Sequence, residues 1–158
     1  MSDVRAWSEQ FVATVIARHR GREGSLLPIL HDLQASFGHI PDAAIPIVAS
    51  ALNLSRAEVH GVVSFYHDFR HAPAGRHIVK ICRGEACQSM NGEAVAAHLL
   101  RHLGTDWGQT SADGAVTVEP VYCLGLCAAA PAALIDGAPA AKLSAESLAA
   151  RVSELAQP

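Results

Sequence analysis

Four cysteines, the only ones in the chain, fall into two close pairs whose side chains can bind a metal. Four residues separate Cys82 from Cys87, and three separate Cys123 from Cys127. Each pair follows an apolar stretch typical of a β-strand and stands in a glycine-containing loop. Thiolates are soft ligands, so four of them favour zinc or an iron–sulfur cluster over hard cations such as Mg²⁺.

The spacing within the pairs bears on which metal they hold. Structural zinc sites are usually built from tight knuckles around one ion, whereas the longer loops here are better suited to a two-iron core. Gly84 and Gly125 let backbone N–H groups approach the sulfurs, where hydrogen bonds help set the reduction potential. The spacing therefore favours a cluster and leaves zinc open. Disulfides are disfavoured in a reducing compartment, and the Cys-x-x-Cys of a thioredoxin-type dithiol is absent.

The elements around the cysteines predict how the two pairs meet. Residues 77–82 and 116–122 are strand-like, and the pattern of residues 92–103 predicts a helix between them. Strands joined by a helix are parallel and follow a right-handed crossover, which places their carboxyl ends at one sheet edge. We therefore expect Cys82 and Cys123 to end adjacent strands, with Cys87 and Cys127 closing the loops that follow.

The rest of the C-terminal half completes an α/β layer. Residues 132–136 and 139–143 read as a short hairpin around Asp136-Gly137, and Ser144 is a candidate N-cap of a last helix. The order strand, helix, three strands and helix predicts a mixed sheet covered by helices.

The N-terminal half is predicted to be helical only. Trp7, Phe11 and Val15 mark the buried face of a first helix. A second helix has Ser25 as its candidate N-cap and Gly38 as its stop, a third begins near residue 42, and a fourth begins at a capping box, Ser55-x-x-Glu58. We expect an N-terminal helical bundle over residues 1–72 and an α/β domain over residues 73–158, joined by a turn near residues 71–75.

Composition narrows the function classes. The chain has 158 residues, of which 50% are hydrophobic and 17% charged, with a formal net charge of −3. A chain of this composition buries a core, and the lack of a basic stripe argues against nucleic acid as a partner. We see no leader peptide in residues 1–11 and no apolar run of about 18 residues, the length of a membrane span. The expected location is the cytoplasm.

Several other residues invite a functional interpretation. His98 and His102 are one turn apart on a predicted helix, but no third ligand is near, so a solvated helix face is expected. Arg83 and Glu85, inside the first cysteine loop, can tune the charge of a bound cluster or meet a partner, and loop solubility explains them equally well. Tyr122 is expected to be a core aromatic, with shielding of the site as the alternative.

Three segments resemble one family across nearly the whole chain: LLPILHDLQASFGHIP, LNLSRAEVHGVVSFYHDF and EPVYCLGLCAAAP. They are similar to the thioredoxin-like [2Fe–2S] ferredoxins, the family of the 24-kDa subunit of respiratory complex I and of matching subunits of NAD-linked hydrogenases and formate dehydrogenases. The resemblance implies a thioredoxin-like domain that holds one [2Fe–2S] cluster. It also implies the cluster ligands, all four positions being present: Cys82, Cys87, Cys123 and Cys127.

Within the family, the stretch CRGEACQSM looks most like the gamma subunit of soluble, molybdenum-containing, NAD-dependent formate dehydrogenase, and the lack of a long C-terminal extension fits that branch. This resemblance implies a non-catalytic electron-transfer subunit that exchanges electrons with a flavoprotein binding FMN and NAD. The molybdenum cofactor then belongs to a separate catalytic subunit. The alternatives are the equivalent subunit of complex I or of an NAD-linked hydrogenase, and a zinc-stapled assembly module without a redox role.

Overall fold

A computed structural model describes residues 5–156, and the chain divides after Pro73 into two compact units. Residues 1–4, which belong to the segment where we see no leader peptide, and residues 157–158 lie outside the described range. No helix within residues 5–156 combines the length and the hydrophobicity that crossing a bilayer requires.

Within residues 5–73 the first unit has four helices, as predicted: α1 Glu9–Arg18, α2 Leu26–Phe37, α3 Ala44–Leu52 and α4 Arg56–Phe65. The capping box of α4 is confirmed, because the Ser55 hydroxyl accepts from the backbone N–H of Glu58 at 3.1 Å and the Glu58 carboxylate accepts from the Ser55 N–H at 2.7 Å. Gly38 ends α2 in the left-handed region, with φ 75°, as a glycine stop does.

The core of this unit is aliphatic and includes Val12, Val15, Leu30, Leu33 and Val48. One sequence prediction is wrong around it: Trp7 lies before α1 and is 44% exposed, with its ring 5.7 Å from that of Phe37. Ser25 is the N-cap residue of α2, as predicted, but it is in the α conformation and its hydroxyl makes no capping hydrogen bond.

The second unit contains the sheet and three helices. Its elements are β1 His77–Cys82, α5 Glu85–Ser89, α6 Gly92–Leu103, β2 Val116–Val121, β3 Ala133–Ile135, β4 Ala138–Ala140 and α7 Ala145–Leu155. The strands are ordered β2-β1-β3-β4; β1 and β2 are parallel, and the other two pairs are antiparallel. The predicted mixed α/β fold is confirmed, although β2 ends one residue before Tyr122 and the hairpin strands are shorter than expected.

The buried face of the sheet holds α6 and α7 in place. Val79 and Ile81 of β1 and Val118 of β2 pack in one core with Leu99 of α6 and Leu148 of α7. A capping box starts α7, with Ser144 and Ser147 exchanging backbone and side-chain hydrogen bonds. This packing fixes β1 and β2, and therefore the positions where the cysteine segments leave the sheet.

Candidate metal centre

The two cysteine segments leave the sheet from neighbouring strand ends. Cys82 is the last residue of β1 and pairs in register with Val121, the last residue of β2. Cys123 follows two residues later, and the backbone N–H of Arg83 donates to the Val121 carbonyl at 2.7 Å beyond the regular ladder. The parallel arrangement predicted from the intervening helix therefore brings both segments to one edge of the sheet.

Cys87 lies on a helix, where the sequence had suggested a loop. Helix α5 begins directly after Gly84 and ends at Ser89, with Cys87 on its buried side. Gly92, the first residue of α6, lies so close that a Cβ atom there would be 2.6 Å from the carbonyl oxygen of Cys87. The segment between the first two cysteines is thus compact, and the first residue of α6 packs closely against it.

The first pair is buried. Cys82 is 4% exposed and Cys87 is 3% exposed, and they cluster with Ala132. Partly buried apolar side chains cover them, among them Val121 and Leu126. Burial raises the pKa of the Cys87 thiol, and its contact with Cys82 adds to the rise.

Cys82 differs from Cys87 because hydrogen bonds surround its sulfur. Burial alone would raise the pKa of Cys82, but these bonds outweigh burial and lower that pKa below its ordinary value. The partners are the backbone N–H groups of Gly84, Cys123 and Leu124 and the side chain of Cys87. Two of those N–H groups come from the second cysteine segment. The backbone of that segment therefore stabilises the thiolate form of Cys82.

The second pair is exposed. Its two sulfur atoms, on Cys123 and Cys127, are 3.7 Å apart. Cys123 adopts a left-handed conformation with φ 72°, and the N–H of Gly125 donates to its sulfur at 3.4 Å. Cys127 starts a short 3-10 turn, Cys127–Ala129. A hydrogen bond with the side chain of Cys123 raises the pKa of the Cys127 thiol, and charge repulsion between the two neighbouring thiolates adds to the rise.

The donors present fit a two-iron cluster. The site offers four thiols as two pairs, together with backbone N–H groups directed at sulfur, and Cys₄ is the ligand set of [2Fe–2S] centres. A Cβ on Gly84 would be 3.3 Å from the backbone nitrogen of Cys123, so the two segments touch there. Within the described residues, no three His, Cys, Asp or Glu side chains are gathered as the ligands of a single metal ion.

The side chains that border the site were only partly anticipated. Tyr122 is 70% exposed, so the expectation of a core aromatic is wrong: β2 ends before it, and the side chain turns outward. Arg83 forms an ion pair with Glu93 of α6 at 2.9 Å and lies over the ring of Trp107 at 5.2 Å. Neither of those partners was identified from the sequence, because both are distant from the cysteines along the chain.

The histidines on α6 have a structural role. The rings of His98 and His102 stack, with centroids 6.5 Å apart, and His102 forms a hydrogen bond with Ser153 of α7 at 2.9 Å. His67 and His71 lie beyond the end of α4 and share no helix. The solvated helix face expected for this pair stays a prediction, because His102 contacts α7 and His98 is partly buried.

A cavity of about 500 Å³ lies in the helical unit, in the part of the chain without cysteines. Apolar side chains such as Ile16 and Leu52 line it, together with Arg20, Arg22 and His19. Nε2 of the His19 ring forms a hydrogen bond with Oδ2 of Asp32 at 2.8 Å. All the residues that line the cavity belong to the first unit.

This chain is similar in sequence and fold to known proteins. The family model described as thioredoxin-like [2Fe–2S] ferredoxin matches residues 12–156. A subunit of the NADH-quinone oxidoreductase of Mycobacterium tuberculosis is 34% identical over 85% of this chain and 53% of its own length. The corresponding NADH-quinone oxidoreductase subunit of Pseudomonas aeruginosa is 40% identical over 66% of this chain and 63% of its own length.

Hydrogenase subunits are similar as well. The alpha subunit of the NAD-reducing hydrogenase HoxS of Cupriavidus necator is 34% identical over 79% of this chain and 21% of its own length. A crystal structure of NAD⁺-reducing [NiFe]-hydrogenase in the H₂-reduced state superimposes with a TM-score of 0.70 at 28% identity, covering 83% of this chain and 22% of the other. The chain thus spans less than two thirds of these relatives.

The family match, over residues 12–156, extends across both units. The chain belongs to the thioredoxin-like [2Fe–2S] ferredoxin family, whose members carry one [2Fe–2S] cluster.

Proposed function

We propose that this protein is an electron-transfer subunit whose [2Fe–2S] cluster is held by Cys82, Cys87, Cys123 and Cys127. The observation that supports this most is the convergence of all four thiols at one edge of the sheet, in a chain of this family. When bound, the cluster supplies one-electron chemistry, and the protein makes or breaks no substrate bond itself.

The side chains around the thiols divide the work. Apolar residues around Cys82 and Cys87 keep water from one side of the site. The N–H groups directed at the sulfurs of Cys82 and Cys123 stabilise negative charge there, which favours the reduced state. Cys123 and Cys127 lie at the surface, where an electron partner has access.

We further propose that the subunit serves an NAD-linked oxidoreductase complex, and specifically a molybdenum-containing, NAD-dependent formate dehydrogenase in the cytoplasm. The relatives named above support the link to NAD. Support for formate dehydrogenase comes from residues 82–90, CRGEACQSM, which resemble its gamma subunit. In this proposal FMN and NAD belong to a flavoprotein partner, and the molybdenum cofactor belongs to a catalytic partner.

A second candidate is the equivalent subunit of NADH-quinone oxidoreductase or of an NAD-reducing hydrogenase, which the names of the relatives favour. Purification of the complex from its native host through a tag on this chain separates the candidates. Molybdenum and formate-dependent NAD⁺ reduction in the purified complex support the formate dehydrogenase. Nickel, or quinone reduction by NADH without molybdenum, contradicts it.

The cluster itself is tested on the purified chain by iron and sulfide analysis and by EPR through a redox titration. We expect one two-iron cluster per chain and an EPR signal that appears on one-electron reduction. A colourless protein with one tightly bound zinc ion per chain would falsify the electron-transfer role and leave the zinc-stapled assembly module.

We also propose a division of labour in which residues 73–158 hold the cluster and residues 1–72 dock on the flavoprotein. The second unit contains all four cysteines. The end of α4 presents aromatic surface that the helical core does not use: Phe65 is 72% exposed and Tyr66 is 44% exposed, with their rings edge to face at 5.2 Å. Exposed aromatic side chains are enriched where protein partners bind.

The docking proposal is tested with a double substitution, Phe65→Ser and Tyr66→Ser, in the complete chain. We expect at least a tenfold weaker affinity for the flavoprotein subunit, measured by surface plasmon resonance, with the cluster content unchanged. Trp7→Ser is the matched control, because Trp7 is an aromatic of the same unit with the same exposure as Tyr66, 44%. Equal affinities for the double variant and the wild-type chain would contradict the proposal.

A further inference from the structure

Arg83 is the first residue after Cys82, and its backbone is fixed on both sides. Its N–H donates to the carbonyl of Val121 on β2 at 2.7 Å, and its carbonyl accepts from the side chain of Gln88 on α5 at 2.7 Å. The residue therefore connects the end of the sheet to the helix that carries Cys87. Its position relative to the thiols follows from the same backbone that places them.

The guanidinium group of Arg83 is held as firmly as its backbone. Nε and one terminal nitrogen both donate to the same carboxylate oxygen of Glu93, at 3.1 and 2.9 Å. The group lies 5.2 Å from the ring centre of Trp107, and Tyr122, the residue before Cys123, interacts with it as well. Partners from three segments thus hold the cation of the residue that directly follows Cys82.

This cation is permanent and only partly screened. An arginine keeps its charge at every pH at which the protein is folded, and the side chain of Arg83 is 32% exposed, against 51% for Glu93. Solvent and salt screen an exposed charge more than a partly buried one. The Glu93 carboxylate therefore opposes the charge of Arg83 and, being the more exposed of the two, is screened more strongly by solvent.

We propose that Arg83 raises the reduction potential of the cluster and that Glu93 limits the rise. Every electron that enters the site adds negative charge, and a fixed positive charge nearby stabilises the reduced state relative to the oxidised one. The proposal rests on the proposed electron-transfer function. It assigns Arg83 a tuning role that loop solubility, the simpler explanation of an arginine beside Cys82, does not predict.

The test is the midpoint potential of the cluster in the purified chain, measured by EPR-monitored redox titration at low ionic strength. We expect Arg83→Met to shift the potential to a more negative value and Arg83→Lys to restore most of the shift, because lysine keeps the charge. Glu93→Gln should shift the potential in the opposite direction. Added salt should shrink all three differences.

Arg101→Met is the matched control, because it removes the same charge from the exposed surface of the same unit. Arg101 lies eight residues beyond Glu93 on α6, roughly 12 Å away at 1.5 Å per residue. We expect a smaller shift there than for Arg83→Met. Urea unfolding of the cluster-free variants shows whether the fold is retained.

Two outcomes overturn the tuning role. One is an unchanged potential in Arg83→Met with a full complement of cluster, and the other is an equal shift in Arg83→Met and Arg83→Lys, which would indicate lost packing instead of lost charge. Both leave the electron-transfer function intact. Failure of the wild-type chain to bind a two-iron cluster at all is a different result, and it contradicts the proposed function itself.

Discussion

The two cysteine pairs occupy contrasting environments at one edge of the sheet. Cys82 and Cys87 are buried among apolar side chains, one at the end of a strand and the other on a helix. Cys123 and Cys127 are exposed, on a segment with a left-handed residue and a single 3-10 turn. The first pair therefore belongs to the packed interior of the domain, whereas the second pair lies at the surface, where the proposed partner would have access.

Serine substitutions test the difference between the two cysteine pairs most directly, and we expect the largest effects from them. We expect Cys87→Ser and Cys127→Ser each to abolish or severely reduce cluster binding, measured as iron per chain. In the cluster-free chain the two should differ. A hydroxyl buried in place of Cys87 costs about 1–3 kcal/mol, whereas a change at exposed Cys127 stays within about 0.5 kcal/mol. Equal losses of unfolding free energy in urea would show that the buried pair has no architectural role.

Gly92→Ala tests the packing behind the buried pair without touching a thiol. The added Cβ would be 2.6 Å from the Cys87 carbonyl oxygen, so backbone must move. Overpacking of this kind costs about 1–3 kcal/mol, and we expect the displacement of α5 to lower cluster occupancy.

The matched control for Gly92 is Gly61→Ala on the exposed side of α4. Nothing lies within 4 Å of a Cβ at that position. Alanine there should stabilise the protein by roughly 0.5–1 kcal/mol through its higher helix propensity. Both predictions are checked by thermal unfolding and iron analysis of the two glycine variants. A normal cluster content in Gly92→Ala would argue against tight packing at Cys87.

Gly84→Ala tests the contact between the two cysteine segments. A Cβ there would be 3.3 Å from the backbone nitrogen of Cys123, close enough to require a small shift. The backbone conformation of Gly84, with φ −68°, is open to any residue. A change in stability would therefore come from the contact with Cys123 and not from backbone strain. We expect a loss of about 1 kcal/mol or less and a measurable change in the EPR line shape. An unaltered spectrum would mean that the two segments adjust independently.

The smallest expected effect is on the pH dependence of stability, at the end of β2 that is remote from the cysteines. Hydrogen bonds from the Ser111 hydroxyl and the Ala115 N–H hold the pKa of Asp113 below its ordinary value of 3.8. A lowered pKa in the folded state gives a stabilisation that is present above about pH 4 and is lost as the pH falls through the folded-state pKa.

Asp113→Asn should therefore flatten the acid end of the stability curve and leave the reduction potential unchanged. The measurement is urea unfolding as a function of pH, together with the redox titration at neutral pH. A changed potential in Asp113→Asn would show that the far end of β2 influences the cysteines, which the comparison between the pairs does not predict.

Much of the fold follows from local sequence signals. The bounds of β1 and α6 were predicted to the residue, because the period of the apolar positions changes sharply at His77 and at Gly92. The capping box at Ser55 and the glycine after α2 were recognisable for the same reason: each is a local rule with a local cause.

The errors come from elements too short to show a pattern and from contacts that are not local. Helix α5 has only five residues, too few to show a period, and the packing of Gly92 against Cys87 holds it in place. Tyr122 was expected inside because it extends an apolar strand, but β2 ends at Val121. For the site, spacing was enough to group the cysteines, whereas the burial difference between the pairs and the Arg83–Glu93 contact required the tertiary structure.

The turn between β3 and β4 has a practical consequence. Because β3 runs antiparallel to β1 and Ile135 pairs with Val79, the turn at Asp136-Gly137 lies at the opposite end of β1 from Cys82. The first and last of the six residues of β1 are five rises apart, roughly 17 Å at 3.3 Å per rise. A spin label on exposed Ala138 would therefore report, by pulsed dipolar EPR, the distance to a paramagnetic centre at the thiols, and in an assembled complex distances to the centres of neighbouring subunits.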